Sequence, residues 1–388
     1  MLTPRSPRSA AFALRLWASL SWATWVVACA PVSQPLPLPQ PVPQDASGAD
    51  AAVAGADASA DQSAGPAPVG NLPAGEPVEL VVNDQYLQKA LQLIQTSKKR
   101  LDIVQFEAKT GDVIDILVGS TIEAHKRGVA VRVLLDDEIE SNLELIGKLK
   151  AAGITQARLD NTKVRTHVKL IWSEQAYMVG STNWSQTSIT KNNEANVLVR
   201  ESKARTAMSG YVDALWLNSG AKPKVVTSTS QVAAIYADGG YEAMVAPLID
   251  GAKKRIQLCV YQMNLQNTDA DSPLVRTVER LKNAIKRGVK VQVVLDLSGE
   301  WSAAGNELNA HAAGALKAMG VEVRMDPVDK ITHAKFLVVD DSVVLGSNNW
   351  GYGGFVLYHE GGLRSHEAKF VASVAAYFDK IWATSKAF

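Results

Sequence analysis

From about residue 76 onward, short apolar runs typical of buried strands alternate with longer stretches whose apolar residues recur at helical spacing. The runs LDIVQFE (101–107) and IQLCVYQM (256–263) are each followed by a predicted helix that ends at Lys-Arg-Gly, where glycine suits the C-terminal cap. A Val- and Leu-rich strand and a second helix follow in both places. Strands that alternate with helices predict an α/β protein whose sheets are covered by helices.

This alternation occurs twice along the chain. The segment KRGVAVRVLLD in the first part corresponds to KRGVKVQVVLD in the second. From Thr166 and Thr332 onward, the two parts align with a constant offset of 166 positions. A duplication of this kind predicts two halves, residues 76–225 and 226–388, that pack as a pseudo-twofold pair.

The best-matched segments are THVKLIWSEQAYMVGSTNWS (166–185) and THAKFLVVDDSVVLGSNNWG (332–351). Each has a histidine and a lysine two residues apart, which emerge on the same face if the segment is a strand. Each then has a serine and an asparagine, whose donor groups suit phosphate oxygens, beside a glycine that lets the backbone approach a ligand. The candidate residues are His167, Lys169, Ser181 and Asn183 in the first copy, and His333, Lys335, Ser347 and Asn349 in the second.

Such a set of side chains suits the cleavage of a phosphodiester. A neutral imidazole can attack phosphorus and a second, protonated imidazole can donate a proton to the leaving oxygen. Lysines and asparagines can neutralise the charge on the other phosphate oxygens. If the two halves face each other, both histidines can reach one ligand, and water would release the phosphohistidine intermediate. This scheme needs no metal and no other cofactor, and no metal-ligand spacing stands out in the sequence.

At these residues the chain resembles the phospholipase D superfamily, whose signature is His-x-Lys, an Asp seven residues after the His, and then Gly-Ser-x-Asn. The second copy fits this signature fully with Asp340, whereas the first copy has Glu174 at the same position. The resemblance implies a phospholipase D-like fold of two α-β-α sandwich halves with the active site at their interface. It also implies that His167 is the nucleophile and His333 the general acid.

Two further carboxylates follow from this resemblance. Glu194 and Glu360 lie 27 residues after their histidines, where family members carry an acidic residue that orients an active-site histidine. Whether each glutamate pairs within its own half or across the interface is left open. Glu174 and Asp340 lie at an odd offset from their histidines, so on an unbroken strand they would face the opposite way. We interpret them as scaffold carboxylates of a turn.

Four other residues have an expected place in or near the pocket or in the core. His359, the neighbour of Glu360, is a candidate for its lining, with simple packing as the alternative. Trp184 and Trp350 are expected to pack behind the motif loops, and the alternative is that they stack on the substrate. Cys259, inside an apolar run, is expected in the core.

The N-terminal region predicts export. Residues 1–28 have three arginines followed by an apolar run and small residues, the order of a signal peptide. The tetrad ending at Cys29 resembles a bacterial lipobox, which implies lipidation of Cys29; ordinary secretion and an uncleaved anchor are the alternatives. Residues 29–75 are rich in Pro and Ala and predict a disordered tether. The expectation is an exported bacterial lipoprotein anchored in the outer membrane, with its body facing the periplasm or the cell surface.

The net charge of the chain bears on whether nucleic acid is a partner. The formal net charge is +1, from 40 basic and 39 acidic residues. Three of the arginines lie in residues 1–28, which contain no acid, so cleavage there would leave 37 basic against 39 acidic residues. This balance is not typical of a nucleic-acid-binding protein, although a basic groove can exist within a neutral total.

The leading hypothesis is therefore an enzyme that hydrolyses a phospholipid of the phosphatidylcholine type to phosphatidic acid and an alcohol. The alternatives are an endonuclease of the same superfamily, a phosphatidyl transferase like cardiolipin synthase, and a binding module without turnover. The intact His-Lys pairs argue against the last of these. The expected partners are the phospholipid and the membrane surface reached through Cys29; nucleic acid is an alternative substrate, and no obligate protein partner is evident.

Overall fold

The computed structural model describes residues 72, 74–160, 164–217, 230, 232–266, 269–297 and 303–388. The predicted signal peptide, Cys29 and all but the end of the predicted tether lie outside these residues, as does the predicted boundary between the halves at 225/226. Within the described residues, the chain forms two mixed sheets with helices packed on them, so the predicted α/β class is confirmed. No helix in this part of the chain has the length and apolar character needed to cross a bilayer.

The first sheet is built from the first half of the repeat. Its strands are β1 (Val78–Val82), β2 (Arg100–Gln105), β3 (Ala130–Leu135), β4 (Ala157–Leu159), β5 (Leu170–Ser173), β6 (Tyr177–Gly180) and β7 (Ala195–Val199). They lie in the order β1-β7-β6-β5-β2-β3-β4. β2, β3 and β4 are parallel, and every other neighbouring pair of this sheet is antiparallel.

The second sheet repeats this order. Its strands are β8 (Ala234–Ala237), β9 (Arg255–Val260), β10 (Lys290–Leu295), β11 (Glu322–Met325), β12 (Lys335–Val339), β13 (Ser342–Gly346), β14 (Gly361–Ser365) and β15 (Lys386–Ala387). They lie in the order β15-β11-β10-β9-β12-β13-β14-β8, which is the order of the first sheet with β15 added at one edge. The duplication read from the sequence is therefore a duplication of sheet topology.

Helices cover both sheets. They are α1 (Gln85–Thr96), α2 (Asp112–Lys126), α3 (Ser141–Ala151), α4 (Gln186–Thr190), α5 (Ser202–Leu217), α6 (Tyr241–Gly251), α7 (Pro273–Lys286), α8 (Ala303–Ala318) and α9 (Ala368–Thr384). The Lys-Arg-Gly segments end α2 and α7, where Gly128 and Gly288 adopt φ of 88° and 85°. Only glycine reaches this left-handed conformation without strain, so the predicted helix ends are confirmed.

The hydrophobic core has three parts. One lies between the first sheet and α1 to α3, and a second lies on the corresponding face of the second sheet. The third lies between the sheets and contains residues of both, including Val168, Tyr211, Phe336 and Phe378. Every residue of β5, β6 and β7 is buried, because both faces of these central strands are covered. The two halves therefore share one core.

Gly180, the last residue of β6, gives a test of how tightly this region is packed. A Cβ at Gly180 would lie 2.5 Å from Cα of Asn196 and against the carbonyl oxygen of Ala195. We expect Gly180→Ala to lower the free energy of unfolding by about 1–3 kcal/mol, because backbone of β7 must move. Urea denaturation followed by circular dichroism measures this.

The matched control is Gly147→Ala in the interior of α3, where a Cβ would meet open space. Alanine is the better helix former, so this variant should gain about 0.5–1 kcal/mol. A urea midpoint of Gly180→Ala that is unchanged or raised relative to the wild type would refute the close approach at Gly180.

Candidate active site

His167 and His333 come from different halves and line the same cavity of about 480 Å³. Asn183 and Asn349 also line it, so both histidines and both asparagines of the doubled motif converge on one pocket at the interface. Each histidine ring packs against an aromatic ring that follows a parallel strand: His167 against Phe106, with centroids 4.9 Å apart, and His333 against Tyr261 at 4.7 Å.

The backbone of each histidine bonds to the opposite half. The N–H groups of His167 and Val168 donate to the carbonyl oxygen of His359 at 2.9 Å, and those of His333 and Ala334 donate to Asn193 at 2.9 and 3.0 Å. For this reason β5 begins only at Leu170 and β12 only at Lys335. The prediction that the whole His-x-Lys segment is strand was wrong for residues 167–169 and 333–334. The backbone N–H groups of the histidines and of the residues after them pair with the other half and not with their own sheet.

The side chains of the histidines also cross the interface. His167 Nδ1 lies 2.9 Å from Glu360 Oε1, and His333 Nδ1 lies 3.1 Å from Glu194 Oε1. The pairing left open by the sequence is thus across the halves. A carboxylate that accepts from Nδ1–H fixes the tautomer and leaves Nε2 as the nitrogen available to a ligand.

The serines of the motif hydrogen-bond to the glutamates. Ser181 Oγ donates to Glu194 and Ser347 Oγ donates to Glu360, each within its own half, and both serines are completely buried. The prediction from the sequence that these hydroxyls bind phosphate is corrected by the structure, because each hydroxyl hydrogen is donated to a carboxylate. Asn183 and Asn349, in contrast, line the cavity and stay candidates for binding phosphate.

The two lysines lie beside the histidines in equivalent places. Lys169 Nζ donates to the carbonyl oxygen of His167 and lies 4.9 Å from the centre of the Phe106 ring; Lys335 Nζ donates to His333 and lies 5.0 Å from Tyr261. Burial lowers the pKa of Lys169 to about 8 and that of Lys335 to about 7. These ammonium groups are therefore poorly solvated and gain by meeting an anion.

The two histidine–glutamate pairs differ electrostatically. Burial and the nearby Lys169 and Lys335 hold the pKa of His167 well below its usual range, which keeps the imidazole neutral. Burial also lowers the pKa of His333, but Glu194 opposes this shift. For Glu194, burial acts to raise the pKa, but the nearby His333 and Lys335 outweigh burial and lower the pKa to about 2. For Glu360, burial raises the pKa to about 8.

Glu174 and Asp340 lie at the far ends of β5 and β12 from the histidines. Glu174 accepts the backbone N–H of Lys98 at 2.7 Å and of Arg100 at 3.3 Å. Asp340 accepts three backbone N–H groups at 2.7 to 2.9 Å, those of residues 253, 254 and 255. Both carboxylates therefore tie a turn to the start of the neighbouring strand, and glutamate at 174 keeps this contact.

Asp136 and Asp296, the residues directly after β3 and β10, also contribute to the site, although the sequence predicts no role for them. Asp136 Oδ2 accepts the backbone N–H of Thr166 at 2.6 Å, and Asp296 Oδ1 accepts that of Thr332 at 2.7 Å. Each carboxylate thus fixes the residue immediately before an active-site histidine. Their identical place at the carboxyl end of a parallel strand in both halves was the available signal.

The remaining candidates belong to the packing around the site. Trp184 and Trp350 are 1% exposed and donate through Nε1 to the hydroxyls of Tyr86 and Tyr241. Cys259 is buried in β9. His359 is also buried and hydrogen-bonds to Asp238 instead of lining the cavity. In the part of the chain that the structure describes, no three His, Cys, Asp or Glu side chains are grouped as a metal site.

Comparison with protein families agrees with this duplication. Residues 90–216 and 245–382 each match the family described as Cardiolipin synthase, PLD-like domain, so the match falls once in each half. The two matched segments together make up more than half of the chain.

Among curated proteins, the chain is similar to the mitochondrial cardiolipin hydrolases of Chlamydomonas reinhardtii and Homo sapiens. The first is 30% identical over 132 residues, 34% of this chain and 57% of that protein. The second is 33% identical over 140 residues, 35% of this chain and 52% of that protein. The chain therefore spans a little over half the length of these relatives.

Solved structures share the fold. Phosphatidylserine synthase of Haemophilus influenzae Rd KW20 superposes with a TM-score of 0.61 at 14% identity, over 80% of this chain and 87% of that one. Polyphosphate kinase of Porphyromonas gingivalis gives a TM-score of 0.55 at 11% identity, over 78% of this chain and 50% of that one. The predicted two-half arrangement is confirmed by this likeness, which at such identities concerns the fold alone.

Replacing Glu174 tests its assignment as a scaffold carboxylate. The backbone N–H groups hold the pKa of Glu174 below its usual range, so the ionised form is the stabilising one. We expect Glu174→Gln to lower the free energy of unfolding by about 1–2 kcal/mol at pH 7 while turnover changes by less than about threefold. The difference in stability between the two proteins should shrink as the pH falls below the usual carboxyl pKa. A severe loss of activity in a correctly folded variant would contradict the assignment.

The lowered pKa values of the lysines predict an alkaline limb in the activity. The cations are present below about pH 7 to 8 and are lost as the pH rises through those values, so kcat/KM for a phosphodiester should fall between pH 7 and 9.5. A bound phosphate favours the charged lysines, so the fall in kcat should lie at higher pH than the fall in kcat/KM. Steady-state kinetics across this range would show it, and a flat kcat/KM would refute it.

Proposed function

The chain belongs to the PLD-like domain family, with one copy of the domain in each half, and on this basis we propose that it is a phospholipid phosphodiesterase. The reaction is hydrolysis of a phosphodiester in a lipid headgroup to phosphatidic acid and an alcohol. The observation that carries the proposal is the crossed pairing of the histidines with Glu360 and Glu194, which presents two Nε2 atoms to one cavity.

The chemistry proceeds in two steps at these atoms. Nε2 of one histidine attacks phosphorus, a P–N bond forms, and the P–O bond to the leaving alcohol breaks while the other histidine, protonated, gives its Nε2 proton to the leaving oxygen. Water then attacks phosphorus, the second histidine takes a proton from it, and the P–N bond breaks. Lys169, Lys335, Asn183 and Asn349 supply positive charge and donors near the phosphate.

The cavity walls favour an amphiphilic substrate. Beside the histidines, Asn183 and Asn349, the cavity has a polar part that includes Glu107, Ser185, Thr187, Ser188, Gln262 and Asn264. It also has an aromatic and aliphatic part, which consists of Phe106, Ile139, Tyr261, Ile331, Tyr352 and Tyr358. Arg165 is the one Lys or Arg among the described lining residues, and it already pairs with Glu138. Nucleic acids are held chiefly by many phosphate contacts, so this lining supports a lipid over a polynucleotide.

The choice of headgroup is the finer part of the proposal. The relatives named as cardiolipin hydrolases and the family description both refer to cardiolipin, which adds this lipid to the phosphatidylcholine type expected from the sequence. The description of the family as a cardiolipin synthase also supports a second candidate, transfer of the phosphatidyl group to another lipid alcohol in place of water.

A location at the membrane stays a prediction from the N-terminal sequence. A lipid on Cys29 and the Pro- and Ala-rich segment behind it would keep the catalytic body within reach of phospholipid. The proposed protein is thus an exported lipoprotein that acts on the membrane to which it is anchored.

The test is an assay of the purified protein on phosphatidylcholine, phosphatidylethanolamine and cardiolipin in mixed micelles, with single- and double-stranded DNA in parallel. We expect release of phosphatidic acid and intact DNA. His167→Ala and His333→Ala should each lower turnover by at least about 10²-fold, since each removes one partner of the proton and phosphoryl transfer.

The matched control is His311→Ala, because His311 is exposed on α8 and should not affect turnover. Adding phosphatidylglycerol separates hydrolysis from transfer, since transfer would produce cardiolipin in place of phosphatidic acid. DNA cleavage without lipid hydrolysis, or near wild-type turnover in either histidine variant, would overturn the proposal.

A further inference from the structure

Behind the two glutamates that hold the histidines, the halves differ in one charge. Asn83 follows β1 and Asp238 follows β8, and both adopt φ of 50°. Asn83 Oδ1 accepts the backbone N–H of Glu194 at 2.9 Å, and Asp238 Oδ1 accepts that of Glu360 at 3.1 Å. The same support is therefore built from a neutral amide in the first half and from a carboxylate in the second.

The two supports also receive equivalent hydroxyl groups. Tyr377 of α9 donates to Asn83 Oδ1 at 2.7 Å, and Tyr211 of α5 donates to Asp238 Oδ1 at 2.8 Å. Each tyrosine comes from the half opposite to its acceptor. The geometry of the support is thus conserved between the halves, and its charge is not.

The residues directly before the two glutamates also differ between the halves. Asn193 and His359 are equivalent, and the carbonyl oxygen of each accepts the backbone N–H of the catalytic histidine opposite. The side chain of Asn193 donates to Thr332 Oγ1 at 3.0 Å. His359 Nδ1 lies instead 3.2 Å from Asp238 Oδ2, and both members of this pair are 1% exposed.

We propose that the buried Asp238–His359 pair is a positioning pair for His167, the histidine that the family resemblance implies as the carrier of the phosphoryl group. The inference rests on the proposed function, and it deepens that function by naming the residues that set His167 apart from His333. Asp238 and His359 act through other residues and touch no substrate.

Asp238 reaches His167 by two routes. Its Oδ2 atom hydrogen-bonds to Nδ1 of His359, and the carbonyl oxygen of His359 accepts the backbone N–H of His167. Its Oδ1 atom accepts the backbone N–H of Glu360, and the carboxylate of Glu360 hydrogen-bonds to Nδ1 of His167. One buried carboxylate therefore fixes both the main chain and the ring of His167, and the corresponding place behind His333 has an uncharged amide.

The charge of Asp238 matters in the covalent step. When Nε2 of His167 bonds to phosphorus and Nδ1 keeps its proton, the ring becomes cationic. Glu360 and the carboxylate behind it stabilise this cation in a poorly solvated interior, where charges interact more strongly than in water. Burial is the main cause of the raised pKa of Glu360, and the nearby carboxylate of Asp238 adds to it.

Rapid-quench kinetics with a phospholipid substrate, followed by mass spectrometry of the phosphorylated peptide, tests the proposal. In the wild-type protein we expect phosphate on the peptide that contains His167. Asp238→Asn keeps the acceptor for Glu360 and Tyr211, as Asn83 does in the other half, but removes the charge. It should slow formation of the phosphohistidine by about 10- to 100-fold, by analogy with the outer-shell partners that orient metal-binding histidines, with little change in KM.

Two further variants test whether the effect of Asp238→Asn comes from the lost charge. Asp238→Asn combined with His359→Asn places the residues of the first half at both positions, so the pair is replaced by a combination that the fold already accommodates. It should show the same slow formation, with phosphate now also on His333. Asn83→Asp adds a carboxylate behind Glu194 and should raise the share of phosphate on His333. Circular dichroism and the Tm of each variant check folding.

The outcomes separate the two proposals. Phosphate on His333 in the wild type, or wild-type rates of His167 phosphorylation in folded Asp238→Asn, would overturn the role of the pair and leave the phosphodiesterase intact. Lipid hydrolysis that is absent from the wild-type protein, together with no phosphohistidine on any substrate tested, would overturn both.

Discussion

The two histidine–glutamate hydrogen bonds that cross between the halves are the constraint on which the rest of the site depends. Glu194 and Glu360 are completely buried, and a buried carboxylate costs several kcal/mol unless it is paired and hydrogen-bonded. Glu360 receives the hydroxyl of Ser347 from its own half, Glu194 receives those of Ser181 and Ser188, and each also pairs with the histidine of the other half. Both carboxylates therefore have partners in both halves, so the duplication serves the electrostatics of the site as well as its chemistry.

The surrounding structure holds these pairs in place. The backbone of each histidine bonds to the opposite half, and the carboxylates of Asp136 and Asp296 fix the residues just before the histidines. The core between the sheets packs side chains from both halves together. Because these contacts exist before any substrate binds, the donors and charges need little reorganisation when the phosphate arrives, and this preorganisation is the main source of electrostatic catalysis.

Departures from the twofold pattern have different consequences according to where they lie. Glu174 replaces aspartate at the far end of β5 and makes the same kind of contact to backbone N–H groups as Asp340, so the exchange leaves the cavity unaffected. Asp238 replaces an amide directly behind Glu360 and adds a buried charge. Such a difference gives the two histidines different surroundings, and attack and proton donation require one histidine to be neutral and the other protonated.

The alternation of helices and strands predicted the α/β class, and the doubled motif predicted the two halves. The motif also identified the histidines, lysines and asparagines of the candidate site. These features follow from local spacing and from a repeat that is visible along the chain. The family resemblance implied Glu194 and Glu360 as partners of the histidines, and in the structure each lies at Nδ1 of one histidine. Which histidine each glutamate pairs with could not be predicted, since a side chain whose partner lies more than a hundred residues away has no local signal. Only the packing of the halves decided that the pairs cross, that Ser181 and Ser347 bond to carboxylates and that Asp238 lies behind Glu360. The physical reason is that burial forces every charged or polar group to find a partner in space, whatever its position in the chain.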